Sequence, residues 1–309
     1  MSRPMIRTLL LVVLLGTLPA SALGQRPDRP GPGPRRQASP GGRGWDVQLP
    51  EGAGTFPTGD LFIRNLDAVW TATGRVLEHT SILVRDGVIV EMGPDVVAPE
   101  GVAVVEGEGL TAIPGLVDEH THTGMVGTNE GSAHVVAEVS DLDALDPVSL
   151  TMYLSLSGGV TTARVMHGSS NPIGGHSAVI KMRGGMDSGD QLLFDGAPRF
   201  IKFALGENVT RKSAAGRGGT PRFPTSRQGV EAIYVQAFTA AREYQAEWDA
   251  YRQSPDRFRV PPRRDLRLET LVDMLDGRIE VHAHSYRADE ILALMRVAER
   301  FGFRIDVMT

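Results

Sequence analysis

Residues Pro114 to His122, Pro-Gly-Leu-Val-Asp-Glu-His-Thr-His, set a sharp turn ahead of an apolar run that ends in two histidines one residue apart. Side chains at i and i+2 of an extended chain share a face. His120 and His122 therefore project together from the C-terminal edge of the predicted strand. The segment Arg278-Ile279-Glu280-Val281 runs in the same way into His282-Ala283-His284. These two pairs hold four of the chain's eight histidines, which favours one shared centre over two unrelated pairs of surface or core residues. Neutral imidazoles are borderline-soft nitrogen ligands, suited to a divalent ion such as zinc.

The surroundings of these pairs predict the architecture. From Ile113 onward, predicted strands (113–122, 159–166, 178–182, 200–205, 279–284 and 304–308) alternate with predicted helices (147–156, 229–251, 268–275 and 288–301). That order is the mark of a parallel sheet with crossover helices, and it spans a domain expected over 113–309. Arg211 to Arg227 is rich in Gly, Ser and Arg and reads as a loop. Ahead of this lies a small β-rich subdomain expected over 60–112. Its predicted strands are Leu61–Asn65, Ala68–Trp70, Ser81–Arg85, Val88–Gly93 and Val102–Glu106, with Asp86-Gly87 as a hairpin turn.

The first residues read as an address. Arg3 and Arg7 precede an apolar stretch from Leu9 to Leu18, and Ala20-Ser21-Ala22 offers small residues for cleavage. A signal peptide is expected over 1–24, and with it secretion or export to a periplasm without stable membrane association afterwards. Residues 25–59 open as a Pro-, Gly- and Arg-rich segment with almost nothing to bury, and read as a flexible linker. Those arginines could touch carbohydrate or a polyanion, but a solvated tether accounts for them. The chain's net charge is −5, so nucleic acid is not an expected partner. It contains no cysteine, which removes disulfides, thiolate nucleophiles and a lipid anchor, and leaves His, Asp, Glu and Lys to build a site.

A lysine inside the apolar run Phe200-Ile201-Lys202-Phe203-Ala204-Leu205 is costly to bury unless it is paired or modified. Lys202 is either a surface-facing residue of an alternating strand or a lysine carrying CO₂ as a carbamate. Asp118 is a candidate to orient an imidazole or to stabilise its own turn. His176, in a Gly-rich stretch read as a loop, either faces substrate or is an ordinary loop residue. Asn208-Val209-Thr210 matches a short glycosylation sequon.

On these residues the chain resembles the amidohydrolase superfamily, and within it the imidazolonepropionase-like and Xaa-Pro or Xaa-Arg dipeptidase-like branch. Pro114 to His122 matches the motif that ends that family's first barrel strand, Lys202 its fourth-strand lysine, and Val281 to His284 its fifth strand, in which His282 is the closer match to the metal-binding histidine and His284 stands next to it. Gly158 to Thr162 and Asn171 to Ala178 are similar to the same branch. The resemblance covers Asp60 to Thr309. It implies an α/β fold: a (β/α)8 TIM barrel of the metal-dependent hydrolase type, behind a small β-rich subdomain. It implies a metal site at His120, His122, Lys202, His282 and His284, with carbamylated Lys202 bridging two ions, zinc being the expected metal. The activity implied is hydrolysis of a C–N bond in an amide, peptide or cyclic amide by a metal-activated water. The substrate would be a small molecule or short peptide, a dipeptide slightly preferred, and self-association is left open.

The family pattern also contains a sixth-strand histidine and an eighth-strand aspartate that moves the proton. Neither has a counterpart here, and a full barrel takes about 250 residues. The expectation is a barrel of five to six strands, C-terminally incomplete and of little activity as written. The competing reading is a truncated, inactive fragment that acts as a structural or interaction module.

Overall fold

The computed structural model describes residues 59–184, 186–213, 222–257 and 260–309. The expected signal peptide and nearly all of the expected linker lie outside the described residues. The chain divides into two compact units, Met1–Pro114 and Gly115–Thr309. No helix among the described residues is long and apolar enough to cross a membrane.

In the first unit β1 (Leu61–Trp70) is the central strand. It pairs antiparallel with β2 (Val76–Arg85), which pairs antiparallel with β3 (Val88–Gly93). On its other side it pairs parallel with β4 (Ala103–Glu106) and β5 (Thr111–Ala112). Asp86 (φ 49°) and Gly87 (φ 71°) form the β2–β3 turn expected from their sequence, since both positions of such a turn need positive φ. The two short strands expected at Leu61–Asn65 and Ala68–Trp70 are one strand. Its register shifts between Ile63 and Leu66, around Asn65 at φ 59°, so the alternation breaks while the strand continues. Ile63, Leu66, Val69, Ile82 and Ala112 form the core of this unit.

The second unit is built on a six-stranded sheet in the order β11-β10-β9-β8-β7-β6. Its strands are β6 (Leu116–Thr121), β7 (Val160–Val165), β8 (Ile173–Lys181), β9 (Phe200–Ala204), β10 (Glu280–His284) and β11 (Val307–Met308). The pairs β6–β7, β9–β10 and β10–β11 are parallel, as expected of a barrel built from crossovers. One expectation fails here: β8 is antiparallel to both neighbours. The link from Val165 to Ile173 holds no helix, and a parallel return needs a crossover of about a dozen residues or more.

β8 also begins at Ile173, five residues before the predicted start. Gly174 and Gly175 lower the strand signal there because they are needed for close approach. A Cβ on Gly175 would sit 2.6 Å from the Val139 carbonyl oxygen, and one on Gly174 3.1 Å from the Lys202 carbonyl oxygen. His176 is therefore a strand residue and not, as expected, part of a loop.

Helix α1 (Leu150–Ser157) lies between β6 and β7 in the chain. Helices α2 (Gly206–Ser213), α3 (Gln228–Gln253) and α4 (Leu266–Leu275) come between β9 and β10. Helix α5 (Ala288–Phe301) joins β10 to β11. Residues 211–213, expected to open a loop, belong to α2, and most of the rest of that expected loop lies outside the described residues. Ile201 and Phe203 of β9 join Tyr234 and Phe238 of α3 in the main core, with ring centroids of Phe203 and Tyr234 5.3 Å apart. Alternation along β9 then turns Phe200 and Lys202 to the other face of the sheet.

That face is concave. The strands β6 and β11 stand at opposite edges of the sheet order, yet Thr309, one residue beyond β11, places its Oγ1 2.9 Å from Nδ1 of His120 on β6. A flat six-stranded sheet would hold such residues more than 20 Å apart at about 4.8 Å per strand. The sheet therefore curls into a half barrel.

Candidate functional site

The interior of this half barrel is polar where its strands end. Lys202 is 1% exposed, and its Nζ lies 3.0 Å from His120 Nε2 and 3.1 Å from Met166 Sδ. Burial pulls its pKa down to about 8, opposed by the charge of Asp141. His120 is the hub of the cluster. Its ring centroid is 5.5 Å from that of His122, 5.1 Å from His282 and 6.4 Å from His284. All five residues singled out in the sequence (His120, His122, Lys202, His282 and His284) are thus gathered at one end of the sheet.

Burial and the nearby lysine favour neutral imidazoles. The pKa of His120 falls to about 4 and that of His282 to about 3, in both cases through burial first and Lys202 second. His284 is lowered for the same reasons in the same order. His122 Nδ1 lies 2.7 Å from the Met166 carbonyl oxygen. A carbonyl can only accept, so Nδ1 carries the proton and Nε2 the lone pair. That is the tautomer of a histidine ligand, whose second nitrogen donates to a carbonyl or carboxylate.

Several partners carry no signal in a linear motif. Arg164 of β7 reaches His282 Nδ1 at 3.1 Å, and Thr309 Oγ1 reaches His282 Nε2 at 2.9 Å. Asn208, noted in the sequence only as a sequon, donates its side-chain amide to His284 Nε2 at 3.2 Å and to the Tyr286 hydroxyl at 2.9 Å. Asp141, in a 3-10 turn after β6, is 6% exposed with Oδ2 lacking a hydrogen-bond partner. Burial raises its carboxyl to about 7, against the His167 backbone N–H and the charge of Lys202.

Two other candidates lie elsewhere or act locally. His176 Nε2 is 3.1 Å from Thr270 Oγ1 on α4, away from the cluster. Asp118 accepts the backbone N–H of His120 at 3.1 Å, a bond within its own strand end.

The donor set has the chemistry of a divalent-metal centre: neutral imidazoles around a buried lysine. In the arrangement recorded here, no group of three His, Cys, Asp or Glu among the described residues is placed to hold an ion. Lys202 and Thr309 occupy the two ring nitrogens of His120 that an ion would otherwise reach. Carbamylation of Lys202 would exchange that donor for an anionic acceptor and free Nε2.

No family model matches the sequence. A solved amidohydrolase from Thermotoga maritima superposes with a TM-score of 0.68 at 29% identity, covering 79% of this chain and 63% of that one. The amidohydrolase tasK of Hapsidospora irregularis is 29% identical over 252 residues, which is 72% of this chain and 25% of that protein. The imidazolonepropionase of Caldanaerobacter subterraneus subsp. tengcongensis is 26% identical over 144 residues, 35% of either chain. These likenesses support a place for the chain in the amidohydrolase superfamily. The chain spans a quarter of the length of the Hapsidospora relative and less than two thirds of the Thermotoga chain. Its half barrel accords with the TIM-barrel-like fold of its solved neighbour.

Proposed function

We propose that this protein is an exported metal-dependent hydrolase that cleaves a C–N bond in an amide, a short peptide or a cyclic amide. The observation that carries the reading is the contact of Lys202 Nζ with His120 Nε2 at 3.0 Å, inside a half barrel whose strand ends gather two His-x-His pairs. Relatives named amidohydrolase and imidazolonepropionase support it.

His120 and His122, with one or both histidines of β10, would hold a divalent ion, zinc being the expected one, and carbamylated Lys202 would bridge to a second. Such an ion supplies a Lewis acid and a bound water whose pKa lies near 7. The protein's own part begins at Lys202. A buried amine with a depressed pKa loses its proton readily and attacks the carbon of CO₂; as the C–N bond forms, one C=O π pair moves onto oxygen and nitrogen releases a second proton to solvent, leaving a carbamate anion where a cation stood. His122, with Nδ1 fixed on the Met166 carbonyl, presents a rigid Nε2. The low exposure of Lys202 and His282 keeps bulk water from the floor of the site. A binuclear centre favours a dipeptide over a ring amide, and the signal-like N-terminus favours a secreted or periplasmic enzyme.

A second reading, a structural or interaction module without catalysis, draws on the engagement of both ring nitrogens of His120 and of His282. Purified protein incubated with zinc and bicarbonate should hydrolyse at least one member of a panel of Xaa-Pro and Xaa-Arg dipeptides and cyclic amides. His120→Ala should remove that activity. A panel without turnover, from protein that has taken up zinc, would favour the module.

A further inference from the structure

Two connections that leave the strand ends of the half barrel are tied together at its rim. Gly206, at φ 75°, turns the chain from β9 straight into α2, and Asn208 stands in the first turn of that helix. Tyr286 lies between β10 and α5, two residues past His284. The Asn208 side-chain nitrogen reaches His284 Nε2 at 3.2 Å and donates to the Tyr286 hydroxyl oxygen at 2.9 Å. The Tyr286 ring meets that of His284 edge to face, with centroids 4.6 Å apart. Glu290 of α5 braces the same two connections. It accepts from Arg227 and from Ser285 Oγ, and a Cβ on Gly206 would lie 3.0 Å from its Oε2.

Tyr286 is thus fixed at its ring and at its hydroxyl, yet it is 64% exposed. Its own O–H has no acceptor among the described residues, and Asn208 Oδ1 has no donor. A donor and an acceptor, both held in place, are left side by side next to His284. In a barrel enzyme the connections after the strands supply the substrate contacts. Groups fixed before binding lose little freedom when a ligand arrives.

We propose that Asn208 and Tyr286 are specificity-determining residues that hold a neutral amide group of the substrate. Tyr286 donates its O–H to the amide oxygen, and Asn208 Oδ1 accepts an amide N–H. A carboxylate at this place could use the Tyr286 O–H but would bring no proton for Asn208 Oδ1. Arg287, next in the chain, is held by both oxygens of Asp289 at 2.9 and 3.0 Å, and Arg227 is held by Glu290, so neither is set aside for an anion. The pair therefore reads an amide beyond the bond that is cut, such as the terminal carboxamide of a dipeptide amide, in preference to the carboxylate of a free dipeptide. That this ligand is a substrate rests on the hydrolase reading; the recognition of an amide does not.

The test is titration of the ¹⁵N-labelled full chain with N-acetylprolinamide and with N-acetylproline, read by ¹H–¹⁵N correlation spectroscopy. The Asn208 side-chain signals are assigned by comparison with Asn208→Ala. Wild-type protein should bind the amide more tightly than the acid by about fivefold, the worth of one hydrogen bond, with the Asn208 signals moving. Tyr286→Phe, which keeps the ring against His284, should weaken both probes by about fivefold. Asn208→Ala should bring the two affinities together. Equal affinities in wild type, preference for the acid, binding of neither probe, or an unchanged Tyr286→Phe overturns the proposal. Should Asn208→Ala not fold, wild type and Tyr286→Phe decide alone, since Tyr286 is exposed. Zinc-treated protein that hydrolyses dipeptides while its binding shows no preference for the amide keeps the hydrolase reading and overturns this one. Amide-selective binding without turnover does the reverse.

Discussion

Thr309 Oγ1 stands 2.9 Å from both His120 Nδ1 and His282 Nε2, joining imidazoles carried by β6 and β10. A single hydroxyl thus bridges the open side of the half barrel. Two neutral imidazoles donating into one oxygen form a network in which removal of the acceptor strands both donors.

Thr309→Val keeps the shape and removes the acceptor. It should lower the stability of the metal-free protein by about 1–3 kcal/mol, the cost of unsatisfied buried donors. Thr309→Ser should stay within about 0.5 kcal/mol of wild type. Urea denaturation of the three proteins at pH 7.5 measures both.

Asp141 gives stability an unusual pH dependence. Burial raises its folded-state pKa to about 7 from the ordinary 3.8. The unfolded chain releases this proton at the lower pH, so its contribution is most favourable below 3.8 and is lost as pH rises to about 7. Asp141→Asn keeps an acceptor for the His167 N–H without the charge. It should be the more stable protein at pH 8, by an amount of the order of 2–4 kcal/mol, and should differ little near pH 4. Denaturation midpoints of both proteins across that range test the sign.

The histidines act in the opposite sense. His120 at about 4 and His282 at about 3 are held neutral in the fold, against an ordinary 6.5. Their contribution is fully present above 6.5 and is lost as pH falls, through about 4 for His120 and about 3 for His282. In the Asp141→Asn background, where the carboxyl no longer titrates, midpoints should fall steadily from pH 6.5 to 4. A further His120→Gln change should flatten that slope.

Gly175→Ala should destabilise by about 1–3 kcal/mol. Its Cβ would approach the Val139 carbonyl oxygen to 2.6 Å, a backbone atom that cannot swing aside. Ala178→Gly, on the same strand, should cost less, about 1 kcal/mol. Thermal denaturation compares them.

The features legible in the sequence are those with a local cause. The spacing of His120 and His122, and of His282 and His284, follows from strand geometry, and Lys202 stands out as a charge in an apolar run. The bounds of α5, Ala288–Phe301, could be read because its apolar stripe stops at Gly302, which adopts φ 77°. The direction of β8 was not legible from composition, because alternation looks the same in either direction. The signal lay in the short link before it. Arg164 and Thr309 join the site only because the sheet curls, and no spacing along the chain encodes a contact such as that between Thr309 and His120, 189 positions apart.

The central claim is that the two His-x-His pairs and Lys202 form one metal centre. Its most direct measurement is the zinc content of the purified protein after incubation with zinc and bicarbonate followed by gel filtration, read by mass spectrometry of the metal and beside His120→Ala and Lys202→Ala. The account predicts stoichiometric zinc in wild type and its loss in both variants, with a mass increase on the Lys202 peptide from bound CO₂ under mild conditions. Wild-type protein that emerges folded and free of zinc, or variants that retain as much zinc as wild type, would contradict it.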